Sequence, residues 1–203
     1  MGHKFAELAF SAEAKKLQAQ QGSRDSYARM EDGPDVNHAL SAREAEFIGA
    51  RDSFYMATVG ANGWPYVQHR GGPAGFVRVL DEVTLGFADF RGNRQYVSVG
   101  NLATDDRVSL FFMDYAHRRR LKLLGRAMIV AGDDQDLLSR LELPDYRARV
   151  ERGIIIKVEA FDWNCPQHIT PRFTAAEIEL ASQPLHQRIA ELETELARLK
   201  AAS

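Results

Sequence analysis

Tyr55-Met56-Ala57-Thr58-Val59, then Ala61-Asn62-Gly63, then Pro65-Tyr66-Val67-Gln68-His69 is the stretch on which the reading of the fold turns. Two mainly apolar runs flank an Asn-Gly pair, and Asn-Gly readily takes the positive φ that a tight antiparallel turn needs. Working outward, Phe76-Val77-Arg78-Val79-Leu80 and Val83-Thr84-Leu85-Gly86-Phe87 meet across Asp81-Glu82. Val108–Met113, a run from Leu121 through Gly125 to Val130, and Gly153–Ala160 add further strands. A polar, helix-like stretch over about 93–103 separates the two groups. Most turns are of hairpin length, and parallel neighbours would need crossovers of about a dozen residues or more, so antiparallel pairing is expected. The pattern predicts a mainly β (α+β) protein, an antiparallel barrel of six or seven strands with a few small helices.

The flanks read differently. Ser41-Ala42-Arg43-Glu44 is a capping-box sequence ahead of Phe47 and Ile48, which predicts a helix over about 42–51. Residues 1–40 read as an N-terminal arm. Phe5, Leu8, Ala9, Ala12 and Leu17 give a weak helical pattern, and 18–38 have the polar and turn-forming composition of a partner-wrapping segment. Residues 173–203 form a separate C-terminal amphipathic helix. There Leu185, Ile189, Leu192, Leu196 and Leu199 step by four and three with charged neighbours. The pattern alone leaves two readings open, packing on its own barrel and contact between subunits.

The 203 residues have room for one domain with appendages, and a 45% hydrophobic content supplies a core. With 26 basic and 28 acidic residues the net charge is −2, so no global surplus draws the chain to nucleic acid or an anionic membrane. No window approaches the roughly 18 apolar residues of a membrane span, and the N-terminus does not read as a secretory signal. The single cysteine, Cys165, excludes an internal disulfide framework and suits a cytoplasmic, reducing location. The familiar nucleotide, hydrolase and metalloprotease motifs are missing, and the six scattered histidines have no metal-ligand spacing.

What remains is polar and glycine-rich sequence at strand ends. Gln68-His69-Arg70-Gly71-Gly72 closes one strand, and Phe87-Ala88-Asp89-Phe90-Arg91-Gly92-Asn93-Arg94-Gln95 runs off another. Gly92, a following helix N-terminus and the Arg94 guanidinium together suit a phosphate cradle; a solvated turn with surface arginines fits the same string. In Arg118-Arg119-Arg120-Leu121-Lys122, Arg120 and Lys122 share one face of a strand and Leu121 and Leu123 the other. That cationic face suits an anionic pocket or plain solvent. Asp162-Trp163-Asn164-Cys165-Pro166-Gln167-His168 places Trp, Cys and His within seven residues, fit to stack on a planar ligand or to plug an interface. Nothing marks His168 as a base oriented towards Cys165, so a catalytic thiol is not assigned.

Taken together, these segments resemble the pyridoxamine 5′-phosphate oxidase-like split-barrel flavoproteins, in the branch of predicted flavin-nucleotide-binding proteins. The carriers are Trp64 to Pro73, Phe87 to Gln95, Asn101-Leu102 with Arg107 to Phe112, Arg119 to Lys122, and Asp162 to His168, in order over about 41–172. The resemblance implies that 41–172 is an FMN-binding split barrel, forming a homodimer with FMN at the subunit interface. It implies that Gln68, His69, Arg70 and Gly71 run beside the flavin and ribityl chain, and that Phe87 and Ala88, with Asp89, contact the cofactor. The family's basic phosphate-holding pair falls on Asn93 and Arg94, so an amide replaces one cation, and Arg70, Arg91 or Gln95 stands ready to compensate. Arg120 occupies the place of a glutamine that touches the cofactor. Trp163, Cys165, Gln167 and Arg172 fall where the partner's tail reaches the flavin. The Arg-x-His-x-Arg signature of vitamin-B6 oxidases is replaced by the Asp162–His168 run.

The expected function is therefore an FMN-dependent oxidoreductase with NADH or NADPH as a candidate donor, and not a true pyridoxamine 5′-phosphate oxidase. No side chain is assigned as catalytic; His69 and His168 are the nearest groups for proton handling. The alternatives are a non-catalytic flavin carrier or redox sensor and, on the Arg118–Lys122 cluster alone, an anion- or nucleic-acid-binding barrel.

Overall fold

A computed structural model describes residues 2–34, 36–130, 134–143, 145–163 and 165–202. Asn164 of the Asp162–His168 run lies outside them. The chain divides into two compact units. The first is Met1–Asp114 with Arg119–Pro166, and the second is Tyr115–Arg118 with Gln167–Ser203.

The first unit is built on one antiparallel sheet of seven strands: β1 (Ser53–Val59), β2 (Pro65–Gly71), β3 (Val77–Asp81), β4 (Thr84–Phe90), β5 (Arg107–Asp114), β6 (Arg119–Val130) and β7 (Val150–Trp163). Their order is β2-β1-β5-β6-β7-β4-β3, so β2 and β3 are edges and the sheet is not closed. The predicted first hairpin is present, with Val59 opposite Pro65 and Gly63 at φ +83° in the turn. Burial alternates along β1, where Phe54, Met56 and Thr58 point inward and Tyr55 outward. Phe54 packs its ring 5.0 Å from Phe112 of β5 and 5.2 Å from Phe87 of β4. In the sheet order β1 and β4 are separated by three strands, so this contact shows the sheet curled around its core. Leu110, Leu121, Leu123, Ile154 and Ile156 fill the same core, each fully buried.

Helix α4 (Ala42–Gly49) begins with the capping box read from the sequence, the Glu44 carboxylate accepting from the Ser41 amide at 3.0 Å. Glu44 has a second task that the local sequence does not display. Its Oε1 accepts from the Trp163 indole N–H at 2.6 Å, and the Trp163 ring meets Phe47 edge-on at 4.7 Å. Burial pushes the Glu44 carboxyl up, but the bonds from Ser41 and Trp163 outweigh it and hold the group below its ordinary 4.5. Its contribution to stability is thus complete above that value and is lost as pH falls through the depressed one. Glu44→Ala removes the cap and strands a half-buried indole donor, an expected loss of about 2–3 kcal/mol at neutral pH. Urea unfolding of both proteins at pH 7 and at about pH 3.5 checks this, with the gap shrinking in acid. A gap of equal size at both pH values would reject the charge-assisted account.

The N-terminal residues form α1 (Lys4–Ala9), α2 (Ala12–Gln20) and α3 (Arg24–Glu31), so helix occupies part of the stretch read as an arm. Ala6 is fully buried. Asn37, at φ 65°, exchanges two hydrogen bonds with the Phe161 main chain of β7, which ties the segment to its own sheet. One reading is corrected and one element is new. The polar helix predicted over about 93–103 is only α5 (Val97–Leu102), because Arg94 and Tyr96 both have positive φ, which a right-handed helix forbids. Residues 135–141, unread in the sequence, form α6 (Gln135–Leu141), whose buried Leu138 and Leu141 lie over β4 and β7. Gly86 permits that approach, since a Cβ there would fall 2.7 Å from Ile155 and 3.0 Å from Leu141.

The second unit contains α7 (Ala175–Ala201), capped by Thr174 and interrupted by Pro184, with none of its residues buried. No helix among the described residues is long and apolar enough to cross a membrane.

Candidate functional site

The C-terminal ends of β2 and β4 and the start of β7 converge on a cleft of about 250 Å³. Strand alternation decides which predicted residues reach it. On β2, Gln68 and Arg70 lie opposite the buried Met56 and Phe54 and face inward, and both line the cleft. His69 points the other way and meets Tyr55 edge-on at 5.6 Å. His69 and Gly71 instead border an adjoining hollow of about 180 Å³, which Phe87 and Ala88 also line. Asp89 lines both, and Asn93 and Arg94 form the outer wall of the larger cleft.

The floor is a buried ionic network. Arg70 Nη1 donates to Asp89 Oδ1 at 2.5 Å across the open side of the sheet, and Arg152 Nε lies 3.4 Å from Asp89 Oδ2. Asp89 and Arg152 are direct partners in the β4–β7 register, immediately before an irregularity at Phe90. Burial pushes the Asp89 carboxyl above its ordinary value against the pull of Arg70 and Arg152. Arg152 also bonds Glu151 at 2.9 Å and lies 5.0 Å over the Tyr96 ring. Arg94 donates its Nε to the Tyr96 hydroxyl at 3.1 Å, and Arg91 stands 3.8 Å from Glu151. Two guanidiniums of the lining (Arg70 and Arg94) and two beside it (Arg91 and Arg152) thus meet two carboxylates, an excess of positive charge around the cleft. Among the described residues Arg70 Nε and Arg152 Nε, both buried, make no hydrogen bond, although the latter stays within ion-pair reach of Asp89. Opposite them, Gln68 Oε1 accepts from Ser98 Oγ of α5 at 2.8 Å, which fixes the amide. Gln95 is exposed, its amide bonded to the Asn93 side chain in a local turn.

Of the other predicted residues in the first unit, Arg120 and Trp163 lie away from the cleft. Arg120 of β6 has its guanidinium 6.0 Å from the Phe111 ring on the outer face of the sheet, with its Nε buried and making no hydrogen bond among the described residues. Trp163 ends β7, thirteen residues from Val150, with its indole committed to Glu44 and flanked by Arg43 at 4.5 Å and Arg119 at 5.0 Å. Lys122 pairs with Asp162 at 3.0 Å, so much of the basic cluster serves the fold. Cys165 is exposed. Gln167 and Arg172 belong to the second unit, where Arg172 lies 5.0 Å over the Tyr115 ring. Tyr96, Ser98, Val99 and Glu151 of the cleft lining, and Arg152 beneath it, are residues the sequence did not reveal. Glu151 and Arg152 lie some sixty positions from Asp89, and only the β4–β7 pairing brings them there.

A cationic, partly dry cleft with fixed amide and guanidinium donors can hold an anionic group by charge-assisted hydrogen bonds. It presents no nucleophile oriented by a base, and among the described residues no group of three or more His, Cys, Asp or Glu could hold a metal.

Comparison with known proteins agrees with this architecture. The pyridoxamine 5′-phosphate oxidase family profile matches residues 40–163, more than half of the chain. No curated protein matches. Among solved structures, HupZ of Group A Streptococcus is 17% identical with a TM-score of 0.50, covering 66% of this chain and 100% of its own. A Clostridium acetobutylicum protein related to general stress protein 26, of the pyridoxinephosphate oxidase family, is 16% identical with a TM-score of 0.45, covering 67% and 94%. The likeness to HupZ is one of fold. On the family match and the seven-stranded antiparallel sheet, the chain belongs to the pyridoxamine 5′-phosphate oxidase family.

Proposed function

We propose that the protein is an FMN-binding oxidoreductase that works as a homodimer, with the cofactor shared between subunits. The observation that carries this reading is the guanidinium excess around Asp89 and Glu151, which matches a phosphate monoester in charge and donor geometry. Arg94 and Asn93 would hold the phosphate from the outer wall, with Arg70 and Arg152 beneath. The Arg70 Nε, buried and with no hydrogen-bond partner among the described residues, fits a site completed by an anion. Gln68, fixed by Ser98, would hydrogen-bond the ribityl chain or the flavin edge. The cleft is smaller than the roughly 300–1,000 Å³ of sites that enclose a whole ligand, so the ring system would extend beyond it and need cover from a second surface. That supports the shared site and gives Arg120, Trp163, Cys165, Gln167 and Arg172 their role, as residues offered to the partner's cofactor.

Bound FMN would supply the two-electron redox chemistry, and the protein supplies binding, orientation and charge. No side chain of the cleft need act as an acid or base. NADH or NADPH is the proposed donor. Asp162 and Trp163 are engaged by Lys122 and Glu44, and they leave no arginine-histidine grip for pyridoxal phosphate. The proposed reaction is therefore not that of a vitamin-B6 oxidase. The same features suit a carrier or redox sensor with no substrate of its own.

The test is the absorbance spectrum of freshly purified protein, followed by NADH and then NADPH without oxygen. Flavin bands that bleach are expected. Colourless protein that takes up no added FMN would overturn the reading, and bands that persist with both donors would favour the carrier.

A further inference from the structure

The second unit poses its own problem. Helix α7 opens with a complete capping box between Thr174 and Glu177, runs for 27 residues and buries none of them. Immediately after Pro184, which cannot donate to the preceding turn, the apolar seam begins. Leu185, Ile189, Leu192, Leu196 and Leu199 recur at steps of four and three, with Leu185 66% and Leu199 61% exposed. Most of a helix's stability in a protein comes from packing its apolar face, which α7 leaves exposed.

The flanking charges identify what covers it. In heptad terms Leu185, Leu192 and Leu199 occupy d, and Ile189 and Leu196 occupy a. In a parallel coil, a β-branched residue at a, here Ile189, with leucine at d favours two strands. Arg188 and Glu195 then stand at g, and Glu193 and Lys200 at e. In a parallel, in-register pair each g residue faces the e residue of the other helix five positions on. Arg188 would face Glu193 of the partner subunit, and Glu195 would face Lys200 of the partner subunit. Both pairings are of opposite charge, and the two-fold axis repeats them. An antiparallel pair centred on Leu192 would keep an attraction between Arg188 and Glu195 but bring two Glu193 carboxylates together and set Lys200 against His186, so the parallel pair has the more favourable set. The present partner of Arg188 is Glu191, three residues on at 3.0 Å, an exposed contact easily exchanged.

We propose that residues 185–201 form a parallel, in-register two-stranded coiled coil with a second copy of this chain. The seam is about 25 Å long, too short to hold two free chains firmly. It would therefore act as a clamp on copies joined elsewhere, where tethering raises its effective concentration. The pairing involves no flavin contact.

The experiment uses the full chain with Cys165→Ser. Leu185→Cys and Leu199→Cys are introduced separately and the proteins mildly oxidised. Each variant is expected to convert mostly to a disulfide-linked dimer on a non-reducing gel, while Gln187→Cys, on the opposite face, stays uncross-linked. Adding Arg188→Glu with Glu195→Lys to the Leu185→Cys chain should slow cross-linking at least tenfold. Mixing that chain with one carrying Leu185→Cys, Glu193→Lys and Lys200→Glu should restore it, because every g–e contact is again attractive. Absence of cross-links in both d-position variants, or links only between Leu185→Cys and Leu199→Cys chains, overturns the proposal. Flavin content and sedimentation of the same samples keep the two readings apart. A yellow dimer without cross-links rejects the coil alone, whereas a colourless chain that cross-links supports the coil and counts only against flavin binding.

Discussion

Arg94→Glu is expected to weaken FMN binding by about 100-fold or more while leaving riboflavin affinity within about threefold. Arg94 is the one cation of the Asn93–Arg94 pair at the cleft's outer wall, held there by a backbone of φ 62° and by its bond to Tyr96. A guanidinium can meet two phosphate oxygens at once, and a carboxylate in its place turns attraction into repulsion. Riboflavin lacks the phosphate and so isolates that interaction from damage to the rest of the site. Titration by quenching of flavin fluorescence reads both affinities. Arg94→Lys should lose far less than Arg94→Glu, since it keeps the charge and forfeits only the fork. Equal losses for FMN and riboflavin would show that Arg94 shapes the cleft without anchoring a phosphate.

Asp89→Ala is expected to destabilise the protein by about 3–5 kcal/mol, the cost of leaving buried guanidiniums unneutralised. Arg70 comes from edge strand β2 and Arg152 from β7, and Asp89 is the carboxylate between them. Arg70 and Asp89 lie on strands that are not neighbours in the sheet, so their bond links its two sides across the opening. Burial pushes the Asp89 carboxyl above its ordinary value against the pull of both arginines, so the network is costly to assemble. Replacing all three together, by Arg70→Met, Asp89→Leu and Arg152→Met, should recover most of the loss, while abolishing the anion site. Guanidinium chloride unfolding of the single and triple variants gives the comparison. A single-variant loss below about 1 kcal/mol would mean that the arginines simply turn to solvent.

The amino-acid sequence by itself determined what short-range physics decides. Asn62-Gly63 sets the β1–β2 turn, the alternation through Phe54, Met56 and Thr58 sets which face is buried, and Ser41 with Glu44 starts α4. It also placed Gln68, Arg70, Asp89, Asn93 and Arg94 together as candidates, by resemblance and by the polar density of two strand ends. The backbone angles of Arg94 and Tyr96, which stop α5 from starting earlier, were not legible there, because the cleft network and not local propensity holds them. The strand order β2-β1-β5-β6-β7-β4-β3 belongs to the tertiary structure alone. It inserts three strands between two sequence-adjacent hairpins, a choice made by which apolar faces can close one core around Phe54 and Phe87. From that order follow the arrival of Glu151 and Arg152 beside Asp89, the capture of Trp163 by Glu44, and the bed for α6 over Gly86. Each joins residues dozens of positions apart, where the gain is burial and charge pairing that no window of sequence contains.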